Sequence, residues 1–285
     1  MDTTPAWEAV LYSVDPSICY MLWMYEMPTW LLAVLIVGLT VVFSLIGLYF
    51  THRRLHGSEA ATQIDNGTVG WFFSGVTVLY GLTLGLLTVA TWQNYSTASG
   101  IASQEAATLA VLYRDLSGYP DSTRQPLQRQ LRDYTAFIVQ KSWPAQRRGM
   151  ANDMERTVLT RFQLDLLHTE VRTMGQQVLH GEAIETFNRL VELRRQRIES
   201  ISMGVPGVLW ATVLLGAIVT IAFSYCFAVV ELRFHALLTG MLALMVGMMI
   251  FLIAALDRPY LGEVSVTPDA YQVVLDKVMV PLTGQ

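Results

Sequence analysis

Four apolar stretches, each without an Asp, Glu, Lys, Arg or His, punctuate the chain at 29–50, 68–92, 206–230 and 236–256. They hold 22, 25, 25 and 21 residues. A helix rises about 1.5 Å per residue, so each can cross a hydrocarbon layer roughly 30 Å thick. The pattern predicts an all-α integral membrane protein. Its four transmembrane helices form two hairpins, with a soluble helical insertion between spans two and three. The segments divide as 1–28, an interfacial N-terminal stretch; 29–93, the first hairpin; 94–205, the insertion; 206–256, the second hairpin; and 257–285, a tail.

Outside the spans the apolar residues recur at helical spacing. In the insertion, Ala106, Leu109, Leu112, Tyr113 and Leu116 extend span two beyond the membrane until Gly118-Tyr119-Pro120. Asp121 or Ser122 caps a second helix running to Ser142, where Trp143-Pro144 breaks it. Asn152 caps a third helix through Thr173, and a fourth covers 181–202. In the tail, Val264 and Val266 allow a short extended piece, and Thr267-Pro268-Asp269 starts a helix over 270–279. Residues 1–28 carry four acids, five aromatics and no Lys or Arg, which reads as a membrane-surface segment and not a secretory signal.

Composition narrows the classes. Hydrophobic residues are 53%, charged residues 15%, and mean hydropathy is +0.40, too apolar for an ordinary soluble domain. A net charge of −4 gives no footprint for nucleic acid. The two cysteines, Cys19 and Cys226, make neither a disulfide framework nor a zinc site. The protein is therefore expected as a multi-pass component of the plasma (inner) membrane, with the lipid bilayer as its first partner. Both termini and the insertion share one side. Arg53, Arg54 and Arg233 in the short loops, against no cation in 1–28, favour those loops inside and the insertion outside. Arg194, Arg195, Arg197 and Arg258 pull the other way.

No catalytic constellation stands out. His52 and His56 have zinc-pair spacing, but Arg53-Arg54 between them would repel a cation. No Gly-rich phosphate loop or GxSxG elbow occurs, so neither an enzyme, a cofactor nor a metal is expected. The spans do carry stripes of small and hydroxyl residues. Ser74, Thr77, Gly81, Gly85 and Thr88 follow one face of span two, and Thr212, Gly216, Thr220 and Ser224 one face of span three. Span four adds Gly240, Ala243, Gly247 and Ala254. Such stripes are either seams of close helix packing or the wall of an uncharged pore. Arg194, Arg195 and Arg197, shortly before span three, are candidates for a lipid-headgroup or anion contact, or for a solvated helix face.

A family resemblance attaches to particular residues. Asn66-Gly67-Thr68-Val69-Gly70, Tyr80-Gly81-Leu82, Leu84-Gly85-Leu86, Trp92-Gln93-Asn94-Tyr95, Glu105-Ala106 and Leu112-Tyr113-Arg114-Asp115-Leu116 resemble the bestrophin-like family of bacterial and plant membrane proteins. The tail Leu256-Asp257-Arg258-Pro259-Tyr260-Leu261-Gly262 with Val266-Thr267-Pro268 is similar to its C-terminal pattern. The resemblance implies kinship with bestrophins, pentameric anion channels with a helical domain inserted between two membrane hairpins. It implies a homo-oligomer with a passive ion pore along span two, gated by the insertion. The alternative is a non-conducting membrane scaffold or sensor whose insertion binds a protein partner.

Overall fold

The computed structural model describes residues 22–55, 65–150 and 154–280. Most of the interfacial segment, Cys19, His56 and the candidate cap Asn152 lie outside these residues. The described chain forms ten α-helices: α1 Leu22–Glu26, α2 Thr29–Leu55, α3 Asn66–Asp115, α4 Asp121–Phe137, α5 Trp143–Gln146, α6 Met154–Leu167, α7 Met174–Ile201, α8 Gly207–Ser224, α9 Leu232–Leu256 and α10 Asp269–Lys277. No strand occurs among the described residues. Helices α2, α3, α8 and α9 are long and apolar enough to cross a membrane.

Helix α3 organises the rest. Asp65 starts it by accepting hydrogen bonds from the Gly67 and Thr68 amides at 3.0 and 3.1 Å. Its 50 residues then run about 75 Å without a break. Beyond the apolar half, Ala98, Ala102, Ala106, Leu109 and Leu112 are buried at spacings of three and four. The same helix is thus a membrane span and the central column of the insertion. Around that column pack Leu131 and Tyr134 of α4, Phe162 of α6 and Phe187 of α7. The Phe162 and Phe187 rings stack at 5.5 Å.

The tail closes this core. Trp143 sits against the rings of Tyr260 and Tyr271, at 5.7 and 5.4 Å, and donates its indole N–H to the Val266 carbonyl. Residues 257–268 make turns and no extended pairing, with Gly262 at φ +80° in the left-handed region that glycine tolerates. Asp257 accepts from the Val205 amide and Arg258 donates to the Ser202 carbonyl, which fastens the end of α9 to the linker between α7 and α8.

Four local expectations change. The third insertion helix, expected through Thr173, ends at Leu167. Trp143-Pro144 does not break the chain: a π-helical turn, Ile138–Ser142, leads straight into α5. Pro144 falls in the first turn of that helix, where its missing N–H costs nothing. Helix α7 begins at Met174, seven residues before Gly181, because Thr173 and Gln176 form a capping box. Helix α8 stops at Ser224, short of the end of its apolar run. Asn66 explains the stop, since its side chain donates to the Ala228 carbonyl and accepts from the Ala228 amide, at 3.0 and 2.8 Å. Ala228 therefore lies outside the helix.

In the membrane part, α2 lies along α9, and α3 packs on α8 and α9. Gly247 lets α2 and α9 approach: a Cβ there would stand 3.1 Å from the Val37 Cα. Gly216 seats the Tyr80 ring, whose hydroxyl donates to the Val213 carbonyl at 2.9 Å. A Cβ at Gly216 would meet that ring at 2.5 Å. Gly216→Leu is therefore expected to cost about 1–3 kcal/mol by overpacking. Gly85→Ala, with nothing within 4 Å, should leave thermal unfolding of the purified protein unchanged.

Candidate functional site

Span two is the least covered helix of the membrane part. Of its most apolar eighteen-residue window, 6% is buried within the chain, against 17% for α2, 22% for α8 and 33% for α9. The helical period divides it into three faces. Tyr80, Leu84 and Thr91 are buried against neighbouring helices. Phe72, Leu79 and Leu86 form a bulky exposed face. Between them runs the small face predicted from sequence, on which Ser74, Gly81 and Gly85 are exposed and Thr77 and Thr88 half-buried.

The hydroxyls on this face are satisfied locally. Ser74, Thr77 and Thr88 each donate to the carbonyl four residues back, at 2.8 Å. They spend their protons inside the helix and keep oxygen lone pairs facing outward. Nothing in the chain lies within 4 Å of a Cβ built at Gly81 or Gly85. Packing within one chain thus places no demand for glycine at these two positions.

The stripe on span three is different. Thr212 is exposed, but Thr220 and Ser224 are buried, and Gly216 is filled by Tyr80. Most of this stripe is a seam inside the chain. The Ser224 carbonyl accepts a hydrogen bond from the His235 ring at 2.9 Å.

Just outside the membrane, α3, α6 and α7 meet in a buried ion cluster. Arg197, Glu105 and Glu155 have side-chain exposures of 0%, 0% and 1%. Arg197 donates to both Glu105 oxygens, at 2.7 and 3.3 Å, and to Glu155 at 2.8 Å. Arg194 reaches Glu155 at 3.1 Å. Burial, with Glu105 and Glu155 close by, pushes the Tyr134 hydroxyl well above its ordinary range, so it stays protonated beside Glu105. Burial also works against ionisation of Glu155, but Arg197 and Arg194 outweigh it and hold the carboxyl below its ordinary value.

The three arginines singled out in the sequence thus occupy different places. Arg197 is enclosed by two carboxylates, Arg194 is mostly covered, and Arg195 is exposed beside Glu192 and Glu199. In the sequence Glu105 stands out only as part of the family pattern, and Glu155 does not stand out at all. Their signal was available: each acid interrupts an otherwise apolar helical stripe, Ala98–Leu112 spacing for Glu105 and Leu159-Phe162-Leu166 spacing for Glu155. Among the described residues, no group of three or more His, Cys, Asp or Glu could hold a metal ion.

Comparisons with known proteins agree with the all-helical fold. The bestrophin-like domain profile matches residues 38–271. The crystal structure of a membrane protein superposes with a TM-score of 0.63 at 13% identity, covering 89% of this chain and 99% of the other. Point variants of a bacterial bestrophin homolog from Klebsiella pneumoniae superpose with TM-scores of 0.62 and 0.61, at 13% and 14% identity. They cover 89% and 88% of this chain and 99% of theirs. At such identities the likeness is one of fold. No curated protein matches.

Replacing Arg197 by Met leaves two buried carboxylates without their main partner and should cost about 3–5 kcal/mol in unfolding. The sign for pH follows from Glu155, whose folded pKa lies below the ordinary 4.5. Its contribution is present above that value and is lost as pH falls below it and through the folded pKa. Unfolding temperature should therefore hold from neutrality down to about pH 5 and drop in more acid solution.

Proposed function

The chain belongs to the bestrophin-like family, and on that footing we propose that copies of it assemble in the membrane into a pore for passive ion permeation, lined by the small face of α3. The observation that carries this reading is the uncovered span two. Its small face is open although nothing inside the chain requires glycine at Gly81 or Gly85. Hydroxyl lone pairs and exposed backbone suit a pore wall without fixed charge. The absence of Asp, Glu, Lys and Arg from all four apolar runs argues against an ion-coupled carrier. The fold likeness to bestrophin homologs supports the same layout of two membrane hairpins around a helical insertion.

Gating follows from the continuity of α3. One helix spans the membrane and carries the insertion core, so a tilt of the insertion moves the pore face with it. The ion cluster is the joint that makes α3, α6 and α7 move together.

Arg53, Arg54 and Arg233 in the short loops support an external insertion. Ser122→Cys in intact cells should react with a membrane-impermeant thiol reagent, and labelling only after lysis would put the insertion inside. Purified protein in lipid vesicles should pass ions under an applied gradient. Gly81→Leu should reduce that flux at least tenfold and Thr77→Ala should alter it measurably. No flux under any voltage, ion or osmotic condition would favour a non-conducting scaffold instead.

A further inference from the structure

A cavity lies where the spans end on the side of the short loops. It has a volume of about 310 Å³ and is walled by Phe73 of α3, Phe227 of the turn after α8, and Leu238 and Leu242 of α9. That size falls at the small end of ligand pockets. The Phe73 and Phe227 rings meet edge to face at 5.4 Å and hold one wall. Three polar side chains interrupt the apolar lining, Ser224, His235 and Thr239, and the Ser224 hydroxyl already donates to the Ile221 carbonyl at 2.6 Å. His235 is 3% exposed and Thr239 1% exposed, and the His235 Nδ1 and Thr239 Oγ1 atoms have no hydrogen-bond partner. Buried polar atoms without a partner are rare, and each costs free energy until something satisfies it.

The chemistry of the pair selects its partner. His235 Nε2 lies 2.9 Å from the Ser224 carbonyl, which only accepts, so the neutral ring carries its proton on Nε2. Nδ1 then offers a lone pair. Thr239, four residues on along the same face of α9, offers a proton. A hydroxyl group both donates and accepts, which matches the two. A carboxylate has no proton for Nδ1, and a charged head would be stripped of water among apolar walls. We infer that this cavity is a binding site for a small neutral molecule with an apolar body and one hydroxyl, an alcohol or the free hydroxyl end of a neutral lipid.

The experiment uses the full chain in nanodiscs of a phosphatidylcholine, photolabelled with a medium-chain alcohol bearing a diazirine. Labels should concentrate on peptides containing Phe73, Phe227 or Leu238. Competition by 1-octanol should be at least tenfold stronger than by n-octane. Displacement by added diacylglycerol identifies a lipid occupant, and displacement by octanol alone a soluble one. Thr239→Val should lower labelling several-fold at unchanged unfolding temperature, and His235→Phe should lower it as far while also lowering the unfolding temperature, because the Ser224 carbonyl loses its donor. Leu242→Trp fills the cavity while keeping both polar side chains and should abolish labelling. The inference fails if octane competes as well as octanol, if labels spread evenly over the lipid-facing helices, or if Leu242→Trp labels as wild type does.

Discussion

Along its first half α3 faces apolar surroundings, and along its second half it is the centre of a protein core. Both demands fall on one axis of about 75 Å, because no Pro, no capping signal and no π turn interrupts Asn66–Asp115. The first half satisfies its backbone within the helix, as hydrocarbon requires. The second half buries a stripe of Ala and Leu against α4, α6 and α7. Much of the rest takes its place from this column. Helices α8 and α9 pack on its membrane half, and the tail packs on the insertion that surrounds its other half.

The ion cluster fixes how the insertion is held. A buried arginine between two carboxylates is weak evidence for stability in itself, because desolvation offsets most of the attraction. It is strong evidence for a fixed arrangement, because separating α7 from α3 or α6 would strand a buried charge. On α3 the cluster's Glu105 sits one helical turn beyond Ala102 and two beyond Ala98, inside the insertion core. The links from Asp257 to Val205 and from Arg258 to Ser202 fasten the same region to the end of span four.

Much of this was legible in the sequence. Four uncharged runs give the four apolar helices, and the periodicity of Leu109, Leu112 and Leu116 carries span two outward. Legibility failed where tertiary contacts overrode local rules. Nothing local marks Asn66 as the group that ends α8, since its partner Ala228 is 162 positions away. The two stripes looked alike in sequence, yet Tyr80 fills one through Gly216 and nothing within the chain fills the other. The arginine run 194–197 read as one patch, but Glu105 and Glu155 divide it, and a helix 92 residues earlier supplies the first of them.

The pore account stands or falls on whether the small face of α3 meets water. The direct measurement is a cysteine scan in a chain with Cys19 and Cys226 replaced by Ser, reconstituted in planar bilayers and treated with a charged, water-soluble thiol reagent. Ser74→Cys, Gly81→Cys and Gly85→Cys should lose current rapidly on modification. Phe72→Cys, Leu79→Cys and Leu86→Cys, on the opposite face, should keep it. Equal modification of both faces, or block confined to the bulky face, would contradict the account and place the ion path elsewhere.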